Sequence, residues 1–224
     1  MIGFKSPFRY ITVDLGTNSG IGDLSINVSY FFEQKNSKWM ITGGAKIPTG
    51  NANDKEGGKP LPMPYQTTLG TFDLLAGIGF WKGAWQFSLG YQKVLGNNEN
   101  GFLHSSWGGN EDAEGYFESK VLGRGDDIIA RVEKSWKKES YTIHFGVVGM
   151  WRLHKDDYVN EEGIRRDYKD SNTPTININF TYLRSLSENW QFRFNWGNPV
   201  VWRPERPDGL TRPFVLTLGL GYKF

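Results

Sequence analysis

Residues 214–224 impose period two on the backbone. Phe214, Leu216, Leu218, Leu220, Tyr222 and Phe224 alternate with Val215, Thr217, Gly219, Gly221 and Lys223, so one face is continuously apolar and the other is small or polar. Successive side chains of a strand point to opposite faces, and a helix of 3.6 residues per turn cannot keep such a pattern.

The same alternation recurs along the chain. Tyr141, Ile143, Phe145 and Val147 interleave with Thr142, His144 and Gly146. Ile176, Ile178, Phe180 and Tyr182 interleave with Asn177, Asn179 and Thr181, and Trp190, Phe192, Phe194 and Trp196 with Gln191, Arg193 and Asn195. Trp85, Phe87, Leu89 and Tyr91, then Leu24, Ile26, Val28, Tyr30 and Phe32, repeat it. Gly-rich versions lie near 39–47 and 72–81, and less regular ones near 8–14 and 126–136. The total is about ten strands, each about the length that a tilted strand needs to cross a bilayer. Long polar connections near 49–69, 95–125, 155–173 and 198–212 alternate with short turns near 34–37, 82–83, 137–139 and 186–188. With the C-terminus in the periplasm every long connection falls outside, and the stretch 16–22 is the one short outer connection.

This pattern predicts an all-β, transmembrane, antiparallel up-and-down β-barrel, one domain over 1–224, in the outer membrane of a Gram-negative bacterium, with lipids around it. The competing fold is a soluble β-sandwich or ligand-binding barrel, whose apolar faces would turn inward. Two features separate them. The other faces carry Gly, Ser, Thr, Asn and Gln and few Lys or Glu, whereas a water-exposed face is richer in charge. The apolar faces are crowded with rings, including Trp85, Trp151, Trp190 and Trp196 near strand ends, as interfacial girdles require.

Composition fits this reading. The mean hydropathy of −0.51 is polar, but only helical spans need about 20 consecutive apolar residues, whereas a strand shows every second residue to lipid. Aromatics are 15% of the chain. Charge is balanced at 26 Lys+Arg against 24 Asp+Glu and forms no basic stripe, so nucleic acid is not an expected partner. Cysteine is absent, which excludes disulfides and thiolate metal sites.

Three segments carry a family resemblance: Gly20-Ile21-Gly22-Asp23-Leu24, Ala45-Lys46-Ile47-Pro48-Thr49-Gly50-Asn51, and Leu69-Gly70-Thr71-Phe72-Asp73-Leu74-Leu75. In order and spacing they resemble the family of outer-membrane transporters linked to the meta-pathway of phenol degradation. The resemblance covers about residues 7–95 by motif; Asn51 stands where the family often has Asp. It implies transport of small, aromatic or hydrophobic solutes. The terminal Phe224 likewise resembles the signal by which bacterial barrels engage the barrel-assembly machinery. Family members begin with a signal peptide and a further hairpin, and Met1–Pro7 reads as neither. The chain is therefore expected to be an N-terminally truncated member of a barrel of about twelve strands. Closure on its own would need the strand at 8–14 to pair with the one at 213–224. Locally, Gly20 and Gly22 suit a tight turn with positive φ, Pro48 ends a ladder, and Gly77, Gly79, Gly90 and Gly146 relieve crowding on the inner face.

The candidate functional residues are the charged and imidazole groups on inner faces: Lys46, Asp73, Arg131, Glu133, His144, Arg152 and Arg193. They would either line a selective path or pair with each other and plug it; Arg131 and Glu133 lie two apart on one face. No catalytic residue is assigned. A barrel lipid hydrolase would need Ser, His and an acidic or amide partner. His104-Ser105-Ser106 is a loop sequence, and no nucleophile motif surrounds mid-strand His144 or the nearby His154. The acidic stretches Asn51–Glu56 and Asn110–Glu114 lack EF-hand spacing, and no phosphate-cradling glycine loop is present, so neither metal nor cofactor is expected.

Overall fold

The computed structural model describes residues 2–5, 8–13, 15–209 and 214–222, the first two stretches by backbone alone. In chain order the strands are β1 (Ile2–Lys5), β2 (Phe8–Val13), β3 (Gly16–Ile21), β4 (Leu24–Gln34), β5 (Ser37–Ile47), β6 (Lys55–Glu56), β7 (Lys59–Pro60) and β8 (Phe72–Lys82). There follow β9 (Trp85–Leu95), β10 (Asp127–Lys137), β11 (Tyr141–Arg152), β12 (Asp157–Val159), β13 (Arg165–Asp167), β14 (Thr175–Ser185), β15 (Trp190–Val201) and β16 (Val215–Tyr222). One short helix, α1 (Glu111–Glu114), and two 3₁₀ turns, Met63–Tyr65 and His104–Trp107, lie in the long connections.

One antiparallel sheet of 10 strands runs β1-β4-β5-β8-β9-β10-β11-β14-β15-β16. From β4 onward each strand of this sheet pairs with the next one in sequence, the up-and-down order. The short turns fix the register. Gln34 faces Ser37 and Lys82 faces Trp85, leaving two-residue turns. Lys35 and Gly83 open these turns at φ 52 and φ 57, the left-handed conformation that matches strand twist. Eleven residues at about 3.3 Å each, tilted about 40°, span roughly 25 Å, the height of the apolar band of a bilayer barrel.

The start of the chain departs from expectation. The stretch 8–14 was expected to span, and 16–22 to be a loop. Instead β2 and β3 form a separate hairpin from Phe8↔Ile21 to Val13↔Gly16, and β1 joins the large sheet against β4. Among the described residues no ladder joins β1 or β2 to β16. Gly20 lies within β3, where a Cβ would meet Thr67 at 3.3 Å, and neither Gly20 nor Gly22 takes positive φ. Phe224, Lys223 and Asp14 lie outside the described residues.

Burial is inverted. On the large sheet, Phe145 is 43%, Leu89 51% and Leu218 64% exposed, while Lys46, Asp73, Asp127, Glu133 and Arg152 are buried. Phe192 is half-exposed. No fully buried apolar side chain of the described residues sits on that sheet. The soluble alternative required the opposite. Rings line the outer face at the short-turn end in a connected row, Tyr30–Phe32–Trp39–Phe80–Phe87–Trp85, with centroids 4.5–6.3 Å apart.

The apolar core lies instead in the long connections. Leu15, Leu61, Tyr65, Phe102, Trp107 and Ala113 pack together, with Tyr116 against them. This cap joins the segments 48–71 and 96–126 to the β2–β3 hairpin. The Tyr65 hydroxyl accepts from the Leu15 amide at 3.1 Å, and Asn18 Nδ2 donates to Asp54 at 2.7 Å. Buried amides serve the cap's backbone: Asn100 donates to the Ala52 and Leu61 carbonyls and accepts from the Phe102 amide, while Asn98 accepts from the Asn100 and Leu122 amides. Such pairing is what permits a buried loop.

Because cap and sheet have separate sources of burial, Phe102→Ala is expected to cost about 3–5 kcal/mol in the cap alone. Protease nicking within 96–126 should rise while far-ultraviolet β-signal is kept; equal loss of both would show one cooperative unit.

Candidate functional site

Period two carries the inner faces of β5, β8, β10 and β11 up to the loop-side mouth of the sheet. There the last inward positions are Lys46, Asp73, Asp127 and Arg152. Lys46 Nζ lies 3.0 Å from Asp23 and 3.2 Å from Asp73, and donates to the Thr71 carbonyl at 2.8 Å. Arg152 makes a two-pronged pair with Asp127, both contacts 3.0 Å, and reaches Asp208 at 2.9 Å and Asp156. Arg124, just before β10, links the halves: its guanidinium lies 3.7 Å from Asp73, 3.5 Å from Asp127 and 3.3 Å from Asp208. Arg203 adds a 2.8 Å bond to Asp208.

Asp208 belongs to the connection between β15 and β16, at the far side of the sheet from β8. Strands pack about 4.8 Å apart, so in a flat sheet these elements would be more than 20 Å apart. The shared guanidinium of Arg124 is therefore a clasp across a curved sheet. Burial opposes charge on Asp208, but Arg152, Arg124 and Arg203 outweigh it and hold its carboxyl far below the ordinary carboxylate range. Gly125 is fixed by this clasp, since a Cβ there would come within 2.1 Å of the His154 carbonyl and 2.7 Å of Arg152.

A second group sits lower on the inner face. Arg131 pairs with Glu133, as their spacing suggested, and Glu133 lies 3.1 Å from His144 Nδ1. Ser135 Oγ is 2.8 Å from the same ring nitrogen. A nucleophile–base–acid relay needs serine and carboxylate on opposite nitrogens of the imidazole. Here both contact one nitrogen, so the set holds the ring rather than forming a relay. Gly146 makes room for it: a Cβ there would lie 3.2 Å from that of Glu133. His154 is exposed beyond the end of β11, and His104 Nε2 contacts the Tyr116 carbonyl in the cap.

The candidates thus divide. Lys46, Asp73 and Arg152 meet at the mouth, Arg131, Glu133 and His144 meet lower down, and Arg193 joins neither group and is exposed. Sequence reasoning missed Asp127, the first residue of β10, and Asp23, Arg124, Asp156, Arg203 and Asp208, which lie in connections. The available signal was charge beside rigid backbone, in Gly123-Arg124-Gly125-Asp126-Asp127 and Arg203-Pro204-Glu205-Arg206-Pro207-Asp208.

Around mid-height the inner face is hollow. A cavity of about 480 Å³ is bordered by Met40, Thr42, Gln86, Ser88 and Ile129. Others of about 340 and 360 Å³ are bordered by Asn179 of β14 and Gly197 of β15. Val148 borders all three, and Arg131 two of them.

No protein-family model matches the chain, and no curated protein matches it. Among solved structures it is similar to the crystal structure of an outer membrane channel from Pseudomonas putida, with TM-score 0.59 and 15% identity over 93% of this chain and 68% of that one. The fold, an antiparallel β architecture, is similar to that of this channel.

Asp208→Asn leaves Arg124, Arg152 and Arg203 facing one another, and about 3 kcal/mol of stability should be lost at pH 7. An acid with a depressed folded pKa stabilises above its unfolded pKa of about 4 and loses that contribution as pH falls. Thermal stability of the wild type should therefore fall as pH drops below about 4, and the variant should show a flatter profile. An unchanged midpoint at pH 7 would refute the clasp.

Proposed function

We propose that this protein is a channel of the Gram-negative outer membrane that passes small apolar or aromatic solutes. The observation carrying this reading is the inverted sheet: outward hydrocarbon, an inward polar wall, and cavities along that wall at mid-height. The similarity to an outer membrane channel supports it.

The solute class rests on two further supports. The mid-height space is mixed, with Met40, Ile129 and Val148 among Thr42, Gln86 and Ser88. Such a wall suits a molecule with an apolar body and one polar group. The segments 20–24, 45–51 and 69–75 resemble the meta-pathway transporter family, which agrees with that choice. In this reading Arg131, Glu133 and His144 set selectivity at mid-height, and the clasp at the mouth fixes the loops that solutes pass. Arg193 lies at the short-turn end of the same route.

Refolded into liposomes, the full chain should admit small neutral aromatic solutes faster than sugars of equal size. Val148→Trp places a ring where the cavities meet, and should abolish most of that flux while leaving the folded fraction unchanged. No flux of any solute through the folded wild type would overturn the reading.

A further inference from the structure

The outward positions of β4, β5, β8–β11 and β14–β16 carry few ionisable groups besides tyrosines. These are Lys82, Lys93, Lys134 and Arg184, with no carboxylate among them. Lys93 stands at the loop end and lies 3.4 Å from Asp126, which also accepts from the Tyr91 hydroxyl at 2.6 Å. The other cations stand towards the short-turn end.

Lys134 is the best defined of these. It faces Trp85 across the β9–β10 ladder and precedes Trp136 by two residues on the same face. Its ammonium lies 5.2 Å from the ring centre of each. Among the described residues no carboxylate pairs with it. Indole faces attract a cation but accept no strong hydrogen bond, so the three N–H donors of the ammonium lack an anionic acceptor. A cation on a lipid-facing surface is costly unless an anion reaches it. At the interfacial level marked by the aromatic row, lipid phosphates are that anion.

We infer that Lys134, held between Trp85 and Trp136, is a binding site for the phosphate of an anionic phospholipid in the leaflet at the short-turn side. Lys82, opposite Trp85 on β8, extends the site's positive field. The site rests on the membrane placement proposed above, but not on any transported solute.

The test is native mass spectrometry of the detergent-solubilised full chain with added phosphatidylglycerol or phosphatidylcholine, for wild type, Lys134→Met and Lys93→Met. Phosphatidylglycerol adducts should fall about fivefold in Lys134→Met, the factor expected for one lysine at an anionic surface, and stay unchanged in Lys93→Met. Equal losses in both variants, or none in either, would overturn the site. So would displacement of the lipid by millimolar inorganic phosphate, which would mark a free-phosphate site. A measurement on the wild type alone guards against misfolding of the variant: phosphatidylglycerol should raise its unfolding temperature in phosphatidylcholine nanodiscs, and no rise overturns the proposal. Failure to insert into either lipid would instead overturn the membrane placement.

Discussion

The structure depends on one inversion of burial. On the large sheet hydrocarbon faces out and charge faces in, so the side chains that would form the core of a soluble barrel are its surface. Water is excluded from the outer face by lipid in this reading, and every strand N–H and C=O there must be met by a neighbouring strand. That requirement explains the up-and-down order and the two-residue turns. It also explains why polar and small residues gather on the other face, where no lipid competes.

Charges turned inward must still be satisfied. The clasp at the mouth answers this by alternating sign: Asp23, Lys46, Asp73, Arg124, Asp208, Arg152 and Asp127 form a chain in which each group touches an opposite partner. Buried ion pairs add little net stability against an apolar replacement, but removing one partner is expensive. Their value here is geometric. The pairs bring β8, the approach to β10, the end of β11 and the β15–β16 connection to shared points, so the curvature of the sheet and the placement of its loops are set together.

Much of this was legible because period two and the outward apolar face mark the same residues. The strands β4, β5, β8–β11, β14 and β15 lie where alternation put them, since most read apolar on every second position over about ten residues, β5 and β8 with glycines and β10 less regularly. The first residues failed for a physical reason: in 8–22 the alternation is weak, and a hairpin partner within the segment, rather than the large sheet, takes the hydrogen bonds. The glycines at 20 and 22 looked like turn formers, yet Gly20 serves close approach to Thr67. The mouth was half legible. Lys46, Asp73 and Arg152 continue strand parity and were visible; Asp208 and Arg203 are positioned by a loop whose path no periodicity encodes. The contact between His144 and Ser135 was also hidden, because it depends on the β10–β11 register.

The cap shows how a loop can be read only after folding. Tyr65, Phe102 and Trp107 lie in stretches of overall polar sequence, yet they are the best-buried aromatic rings among the described residues. Their burial needs polar neighbours: Asn98, Asn100 and Gln66 satisfy backbone groups that a strand or helix would satisfy internally. The polarity of those loops is therefore the condition for their compactness. It follows that the cap resembles a small soluble core set on a sheet whose apolar face points outward, with the ion-pair clasp at the boundary. In the proposed membrane placement, agents that weaken apolar burial in water should act on the cap first, and agents that strip lipid should act on the sheet, because each part would be held by a different solvent.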